Sequence, residues 1–238
     1  MKVLLLAAGR GERMRPLTDR TPKPLLEVGG KPLIVWHIEN LVRAGIRELV
    51  INHAHLGAQI EASLGDGNQF GAHIQYSSEG KALETAGGIA YALPLLGSEP
   101  FAVINSDIFC DYDFAQLLTH ANKLKTDGDT AYLVLVNNPP QHPNGDFHLH
   151  NGRIIPTGDL KFTFSGIGLY QPALFKGIPR GSIAPLAPLL RAQVALGKVS
   201  GEHHQGFWAD VGTPQRLAEL DSQVRSLQKA SRSLHNAP

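Results

Sequence analysis

Short apolar runs alternate with amphipathic segments along most of the chain, and this alternation limits the possible folds more than any other sequence feature. Runs such as VLLLA and FAVIN are rich in Val, Ile and Leu, which is typical of parallel strands covered on both faces. The predicted strands are residues 3–7, 48–52, 73–77, 101–105 and 130–136. Between them lie predicted helices at residues 32–44, 56–64, 85–95 and 112–124.

This rhythm predicts an α/β fold with a Rossmann-like, doubly wound and mostly parallel sheet. Two further helices are predicted at residues 184–196 and 214–227, the second with Thr213 as its cap and Pro214 in its first turn. Sheets of this kind bind ligands beyond the carboxyl ends of their strands. We therefore expect the functional residues to follow the strands.

The character of the sequence changes at residue 138. Turn-forming residues cluster in NPP and HPNG, and Asn151-Gly152 is a strong hairpin signal between short alternating runs. A further strand is predicted at residues 161–170. Residues 138–170 therefore predict a small β-rich insertion that folds over the sheet as a sugar-binding lid. The chain is expected to form one domain over residues 1–227, with a disordered tail from 228 to 238.

The composition excludes several classes of partner. Net charge is +1, from 22 basic and 21 acidic residues, so neither a nucleic acid nor a membrane surface is expected to bind. The single cysteine, Cys110, cannot form an internal disulfide, and its scarcity suits a reducing cytoplasm. We expect Cys110 to serve packing and the protein to be cytoplasmic.

A glycine-containing loop follows the first predicted strand, in the stretch LLLAAGRGERMRPLTDRTPKPLL at residues 4–26. Gly9 and Gly11 would let backbone N–H groups approach an anion without obstruction by a Cβ atom. Glu12, Arg13 and Met14 follow instead of the third glycine of a dinucleotide-binding fingerprint, and P-loop spacing is absent. A Rossmann dehydrogenase is therefore disfavoured.

The same loop is unusually rich in cations. Arg10, Arg13 and Arg15 follow the glycines, and Arg side chains match the geometry of phosphate oxygens. Lys23 stands between Pro22 and Pro24, which place its charge on a stiff backbone. We infer that this segment wraps and neutralises a nucleoside triphosphate.

The segment resembles the signature of the sugar-1-phosphate nucleotidyltransferases, GxGxRxxPLTxxxPKxL. Further similar segments are KPLI, LETAG, VINSD and WADVGTP. The resemblance implies the nucleotide-diphospho-sugar transferase fold, a nucleoside triphosphate and a sugar 1-phosphate as substrates, and Mg²⁺ as cofactor. The residues that match the signature are Gly9, Gly11, Arg13, Pro16, Leu17, Thr18, Pro22, Lys23 and Leu25.

The resemblance also assigns roles to residues. It implies that Arg13 and Lys23 are catalytic. Sugar contacts are expected from Asn105, Gly145, Asp146 and Lys161, although Lys161 lacks the Glu-Lys-Pro context of the relatives' second lysine. The expected nucleotide contacts are Ala8, Gly9, Gly11, Glu12, Arg13, Lys23, Glu79, Thr85 and Gly87.

Two aspartates are the predicted metal ligands. Asp107 and Asp210 follow the runs FAVINS and GFWA, far apart in sequence. Both can reach the carboxyl edge of the sheet, where a pair of carboxylates suits Mg²⁺ bound together with water and phosphate. The implied reaction is in-line attack of the sugar phosphate on the α-phosphorus, which needs aligned anions more than a general base.

Within the family, the chain length and the segments NHAHLG and LETAGG resemble the uridylyltransferases that act on N-acetylmuramate 1-phosphate in bacterial cell-wall recycling, which implies UTP as the nucleotide. Mannose-1-phosphate guanylyltransferases and glucose-1-phosphate uridylyl- or thymidylyltransferases remain as alternatives. A sugar-nucleotide sensor is the non-enzymatic alternative, because Ser106 stands where the family usually has glycine.

Overall fold

A computed structural model describes the backbone of residues 1–235 and the side chains of residues 1–230. The strands are β1 (Lys2–Leu6), β2 (Glu27–Val28), β3 (Lys31–Pro32), β4 (Glu48–His53), β5 (His73–Ser78), β6 (Phe101–Asn105), β7 (Ile108–Cys110), β8 (Ala131–Val136), β9 (Phe147–His150), β10 (Arg153–Ile155), β11 (Lys161–Tyr170), β12 (Val199–His204) and β13 (Trp208–Asp210). The helices are α1 (Leu33–Arg43), α2 (Gly57–Leu64), α3 (Glu84–Leu96), α4 (Gln116–Thr126), α5 (Leu186–Ala195) and α6 (Pro214–His235).

Nine strands form the main sheet in the order β5-β4-β1-β6-β11-β8-β12-β10-β9. Strands β5, β4, β1 and β6 are parallel to one another, and β12 is parallel to β8. Strand β11 runs antiparallel to both β6 and β8, so the sheet is mixed at its centre. The predicted doubly wound α/β arrangement is otherwise present.

The predicted β-rich insertion is only partly separate from this sheet. Residues Ile167–Tyr170 of β11 pair with β6 and β8 in the middle of the sheet, whereas only Lys161 and Phe162 pair with β9. The prediction of a lid over residues 138–170 is therefore too long at its C-terminal end. The β9–β10 hairpin, closed by Asn151 and Gly152, is the part that lies at the sheet edge.

Two hydrophobic layers cover the two faces of the main sheet. Leu5 and Ile104 belong to the layer packed by α1, α2 and α4, whereas Leu4 and Val103 belong to the layer packed by α3 and α5. This alternation follows from the two-residue period of a strand. Burying each such side chain contributes about 1.5–3 kcal/mol, so the strand exits rest on a rigid base.

A third, smaller hydrophobic cluster lies beneath the glycine-containing loop and is covered by α6. Leu220 and Val224 of α6 pack there with Met14 of the loop and Val28 of β2. Helix α6 also binds the β2–β3 turn, because Asp221 accepts a hydrogen bond from Gly29 N at 2.7 Å.

The C-terminal helix is longer than the sequence indicates. It continues to His235 through residues that we expected to belong to a disordered tail. Gln228 still contacts the β2–β3 turn, donating a hydrogen bond to Gly29 O at 3.3 Å, which helps the helix to extend. Residues 236–238 of the predicted tail lie outside the described residues. No helix within the described residues has the length and apolar character needed to cross a membrane.

Candidate active site

Three adjoining cavities form one cleft at the carboxyl ends of β1, β4 and β6. The strand-end cavity, about 220 Å³, is lined by residues that include Ala8, Glu79 and Ser106. The loop cavity, about 240 Å³, is lined by Gly11, Glu12 and Arg13 among others, and the α5 cavity, about 390 Å³, by residues that include Asp146 and Arg191. The residues shared between neighbouring cavities are Gly9, Lys23 and Asp107 on one side and Glu84, Thr85 and Asn105 on the other.

The two loop glycines are needed for different structural reasons. Gly11 has a φ of 67°, and a Cβ atom there would lie 2.9 Å from Cγ2 of Thr18. Thr18 also donates a hydrogen bond to Gly11 O at 2.9 Å, which fixes the turn. At Gly9, by contrast, no atom lies within 4 Å of the position that a Cβ atom would occupy. Gly9 therefore leaves open space in the cleft, where a substrate can approach the backbone.

The cations of the loop divide into two groups. Arg10 and Arg15 form ion pairs with Glu12 at 3.1 and 3.6 Å, and all three side chains are at least half exposed. Arg13 has no ion-pair or hydrogen-bond partner among the described side chains and lines the loop cavity. Arg13 and Lys23 are therefore the loop cations that line the cleft, whereas Glu12 is ion-paired with Arg10 and Arg15.

Lys23 lies at the junction of the strand-end and loop cavities. Its ammonium group forms an ion pair with Asp107, and only 11% of its side chain is exposed. Pro22 and Pro24 are buried on either side, which anchors the backbone from which Lys23 projects. A phosphate group at this junction would meet a largely desolvated cation, and such a cation interacts more strongly than an exposed one.

The two predicted metal ligands are brought together by a short antiparallel ladder. Asp210 of β13 pairs with Ile108 of β7, and Val211 N donates a hydrogen bond to Asp107 O at 2.8 Å. The ring of His37 in α1 forms a hydrogen bond to β7, with 2.8 Å between its Nε2 and Ile108 O. The ladder brings the backbones of the two residues together, but Asp107 lines the cleft whereas Asp210 lines a separate cavity with Gln141 and Arg216.

Two carboxylates alone are too few ligands for a divalent metal, so a metal here would also need ligands from the substrate. The described residues contain no group of three or more His, Cys, Asp or Glu side chains that could hold a metal alone. Asp107 is ion-paired with Lys23, and Asp210 is ion-paired with Arg216 and accepts a hydrogen bond from Gln141 at 2.5 Å. Mg²⁺ usually binds one or two carboxylates together with phosphate oxygens and water, so phosphates would supply the missing ligands.

Glu79 supports the cleft from its floor. Its carboxylate accepts hydrogen bonds from Asn52 Nδ2 at 2.6 Å and from Leu83 N at 3.1 Å. Burial raises the pKa of Glu79, although these hydrogen bonds oppose the shift. Asn52 Oδ1 in turn accepts a hydrogen bond from Ala7 N at 2.8 Å. Glu79 lines the cavity, but both of its oxygens accept hydrogen bonds from protein groups and link β1, through Asn52, to the start of α3.

The start of α3 contains one predicted nucleotide contact that does not reach the cleft. Gly87 is absent from the cavity linings, and a Cβ atom there would lie 2.4 Å from Ser182 O. Its N–H donates to Ala184 O at 3.0 Å, while Ala184 N donates to Leu83 O at 3.0 Å. Gly87 thus lets α3 dock against the segment that leads into α5. Thr85, another predicted nucleotide contact, does line the cleft.

The predicted sugar contacts likewise divide into residues that line the cleft and residues that do not. Asn105 and Asp146 line the α5 cavity, and Asp146 accepts hydrogen bonds from His142 Nε2 at 3.0 Å and Phe164 N at 2.8 Å. Gly145 and Lys161 do not line it. Gly145 has a φ of 59°, and a Cβ atom there would lie 2.9 Å from Cβ of Lys161, so these two residues pack against each other.

Several cleft residues were not predicted from the sequence as contributors. Asn52 lies in β4, and its partner Ala7 is distant in sequence. Arg216, in the first turn of α6, forms an ion pair with the nearby Asp210 and lines the same separate cavity. Ser106 stands where the family usually has glycine, and its hydroxyl donates to Leu6 O at 2.5 Å, in addition to the backbone hydrogen bond from Ser106 N to the same oxygen at 3.2 Å. Cys110 is buried, and this burial raises its thiol pKa to about 11, which leaves it un-ionised near neutral pH.

Comparison with known proteins agrees with this geometry. The family model described as "Nucleotidyl transferase" matches residues 2–155. The chain belongs to the nucleotidyl transferase family. It is 55% identical over 226 residues to the N-acetylmuramate alpha-1-phosphate uridylyltransferase of Neisseria meningitidis serogroup B, covering 93% of this chain and 97% of that protein. The prediction of a sugar-1-phosphate nucleotidyltransferase is thereby confirmed.

More distant members extend the comparison. The mannose-1-phosphate guanylyltransferase catalytic subunit beta of Danio rerio is 31% identical over 224 residues, which cover 90% of this nucleotidyltransferase chain and 62% of that protein. A Bacillus anthracis protein described as a glucose-1-phosphate thymidylyltransferase, crystallised with a sucrose, has a TM-score of 0.83 at 24% identity, covering 94% of this chain and 95% of its own. HddC from Yersinia pseudotuberculosis complexed with GMP-PN has a TM-score of 0.76 at 18% identity, covering 93% and 98%. These likenesses establish the shared fold.

Proposed function

We propose that this enzyme transfers UMP from UTP to N-acetylmuramate 1-phosphate, producing UDP-N-acetylmuramate and pyrophosphate. The observation that carries the proposal is the 55% identity, over almost the whole of both chains, to a protein named for this sugar phosphate. The cleft supports it, because a cation-lined loop cavity continues through Lys23 and Asn105 into a larger cavity beside α5.

The substrates divide between the cavities according to charge. The β- and γ-phosphates belong in the loop cavity beside Arg13, and the α-phosphate belongs at the junction beside Lys23. The uridine extends into the strand-end cavity and the sugar into the α5 cavity, which meet at Thr85 and Asn105. Asp107 and Asp210 would hold a magnesium ion, which supplies positive charge for the phosphate oxygens.

The reaction requires no protein nucleophile. An oxygen of the sugar phosphate forms a bond to the α-phosphorus, and the bond from the α-phosphorus to the bridging oxygen breaks, so pyrophosphate departs with the electron pair. The attacking phosphate is already ionised near neutral pH, because its second pKa is about 6. The chain therefore contributes alignment and charge neutralisation, with Lys23 stabilising the charge that develops at the α-phosphate.

The test is a matrix of substrates followed by pyrophosphate release. N-acetylmuramate, N-acetylglucosamine, glucose and mannose 1-phosphates are each combined with UTP, GTP or dTTP in the presence of Mg²⁺. We expect the highest kcat/KM for N-acetylmuramate 1-phosphate with UTP. A higher value for mannose 1-phosphate with GTP would support instead the activity named in the 31% identical zebrafish relative. No pyrophosphate from any pair would favour a sugar-nucleotide sensor.

A further inference from the structure

The α5 cavity has an uneven distribution of charge. Among the described residues that line it, Glu84 and Asp146 are acidic, and Arg191 is the single Lys or Arg side chain. Both carboxylate oxygens of Asp146 accept hydrogen bonds from the protein, from His142 and from Phe164 N. Arg191 therefore supplies the positive charge that this cavity offers to a ligand.

Arg191 is positioned by its helix but has no partner within the described part of the protein. Its neighbours Leu186 and Leu190 are buried at 8% and 1% exposure and fix α5 against the sheet, while Arg191 itself is exposed. Among the residues that the structure describes, no acidic side chain or carbonyl group pairs with it. By contrast, Arg153 binds Asp129 through two nitrogens.

The rest of the cavity wall offers little to an anion. Phe147, Phe164 and Leu190 form an apolar surface, and Glu84 is an exposed acid with no partner among the described residues. Glu84 also has a φ of 59°, in the left-handed region that non-glycine residues seldom adopt. An anionic substituent here would face desolvation and repulsion by Glu84. Thr85 and Asn105 offer it only uncharged donors, so Arg191 is the lining side chain that can form a charge-assisted contact.

We propose that Arg191 recognises the carboxylate that distinguishes N-acetylmuramate from N-acetylglucosamine. This inference rests on the proposed function. The distinguishing group is a lactyl ether whose carboxylate is ionised at neutral pH, and a guanidinium can bind it through two parallel N–H donors. The sugar phosphate has to point toward Lys23 and Asp107 for the reaction, so the far end of the sugar faces α5. Arg191 is then a specificity-determining residue.

The test compares two sugars that differ only in this substituent. N-acetylmuramate 1-phosphate and N-acetylglucosamine 1-phosphate are each assayed with UTP on wild type, Arg191→Met, Arg191→Lys and Lys176→Met. Lys176→Met removes one exposed positive charge outside the cavities and is the matched control. The dissociation constants of both sugars are also measured by calorimetry in the presence of a non-hydrolysable UTP analogue, so that the comparison does not depend on turnover.

We expect Arg191→Met to weaken binding of N-acetylmuramate 1-phosphate by about 10- to 100-fold, the range for a charge-assisted hydrogen-bonded contact. Binding of N-acetylglucosamine 1-phosphate should change by less than about threefold, since it lacks the carboxylate. Arg191→Lys should recover part of the loss, and Lys176→Met should behave as wild type. Retained binding of N-acetylglucosamine 1-phosphate also shows that the variant is folded.

Two results would overturn the inference while leaving the proposed function intact. Equal losses for both sugars would place Arg191 at the shared phosphate or in structural support. An unchanged preference for N-acetylmuramate 1-phosphate in Arg191→Met would show that another group binds the carboxylate. If wild type itself prefers a sugar without a carboxylate, the proposed function fails and this inference fails with it.

Discussion

At the scale of single residues, two ion pairs join charged side chains in and beside the cleft. Lys23 is held by Asp107, and Arg216 is held by Asp210. Each carboxylate is compensated by a cation. An unpaired charge in such a partly buried site would cost several kcal/mol. Phosphates can replace the carboxylates as partners of the cations, and a metal can replace the cations as partner of the carboxylates. Substrate and metal binding are therefore expected to support each other.

The first prediction concerns the two aspartates. Asp107→Asn and Asp210→Asn should each reduce turnover by about 100-fold or more, because removing the negative charge weakens the metal site. Folding should be kept, but the thermal unfolding midpoint should fall, because each change leaves the partly buried Lys23 or Arg216 without its charged partner. Pyrophosphate release measured against Mg²⁺ concentration checks this, with the exposed Asp159→Asn as control. Near-normal activity of either cleft variant at low Mg²⁺ would remove that residue from the metal site.

The second prediction separates the two phosphate-binding cations. Lys23→Ala should lower kcat strongly, because its contact to the α-phosphate strengthens in the transition state. Arg13→Ala should raise KM for UTP more than Lys23→Ala does, since Arg13 grips the leaving phosphates. Each loss should be about 2–4 kcal/mol in transition-state stabilisation. Steady-state kinetics with UTP varied at saturating sugar phosphate measures both effects.

A matched control exists within the same loop. Arg10→Ala removes a neighbouring cation that is paired with Glu12 and absent from the cavity linings, so its kinetics should stay near those of wild type. An intact kcat with only a raised KM in Lys23→Ala would make the lysine a ground-state binder and contradict the assigned role.

At the scale of elements, the sequence predicted the strands that have a strong local hydrophobic pattern. It missed the strands that form mainly because they pair with a strand distant in sequence. Strands β1, β4, β5, β6 and β8 are apolar or alternating and were predicted to within about two residues. Strand β12 was missed because its residues Glu202, His203 and His204 are polar, and it forms through pairing with β8. The short strands β7 and β13 were also missed, because they form by pairing with each other and their residues are far apart in sequence.

The predicted site shows the same division. Asp107, Lys23, Arg13 and Asn105 were predicted from motifs and do line the cleft. Gly87 belongs to a matching motif but supports the docking of α3, which no local pattern distinguishes from ligand contact. Arg191 has no motif, because its position beside the cavity results from the packing of α5. Tertiary contacts thus determine what local sequence cannot.

Three glycine substitutions test this distinction between docking and ligand access. Gly87→Ala should destabilise the fold by about 1–3 kcal/mol, because its Cβ would lie 2.4 Å from Ser182 O. Gly9→Ala should leave stability unchanged but reduce activity, because its Cβ enters open cleft space. Gly177→Ala, with no atom within 4 Å of the added Cβ, is the control for both. Urea unfolding and pyrophosphate release are measured together; a fully stable Gly87→Ala variant would refute the docking role.

At the scale of the whole molecule, a buried histidine links the hydrophobic core to the edge of the cleft. His37 in α1 is 2% exposed and holds Ile108 O of β7 through its Nε2. Burial lowers the pKa of His37 to about 4. The unfolded chain, with an ordinary histidine pKa of about 6.5, binds a proton more readily than the folded chain between these values. His37 therefore lowers stability as pH falls from about 6.5 toward 4.

This linkage gives a prediction about stability. Substituting His37→Gln removes the titrating group, so the stability difference between wild type and variant should shift by about 2 kcal/mol in favour of the variant between pH 7.5 and pH 4.5. Urea unfolding of both proteins across this range measures the shift. A difference that is independent of pH would show that His37 has the same pKa in the folded and unfolded chains.

Transfer of a nucleotidyl group to a sugar phosphate in this cleft is tested most directly by following the label of the α-phosphate. UTP labelled at the α-phosphorus is mixed with the enzyme, Mg²⁺ and N-acetylmuramate 1-phosphate, and the products are separated. We expect the label to appear in UDP-N-acetylmuramate, with one pyrophosphate released for each labelled product. The assay is repeated with N-acetylglucosamine, glucose and mannose 1-phosphates. Binding of UTP with no label transferred to any of these four sugar 1-phosphates would contradict this function.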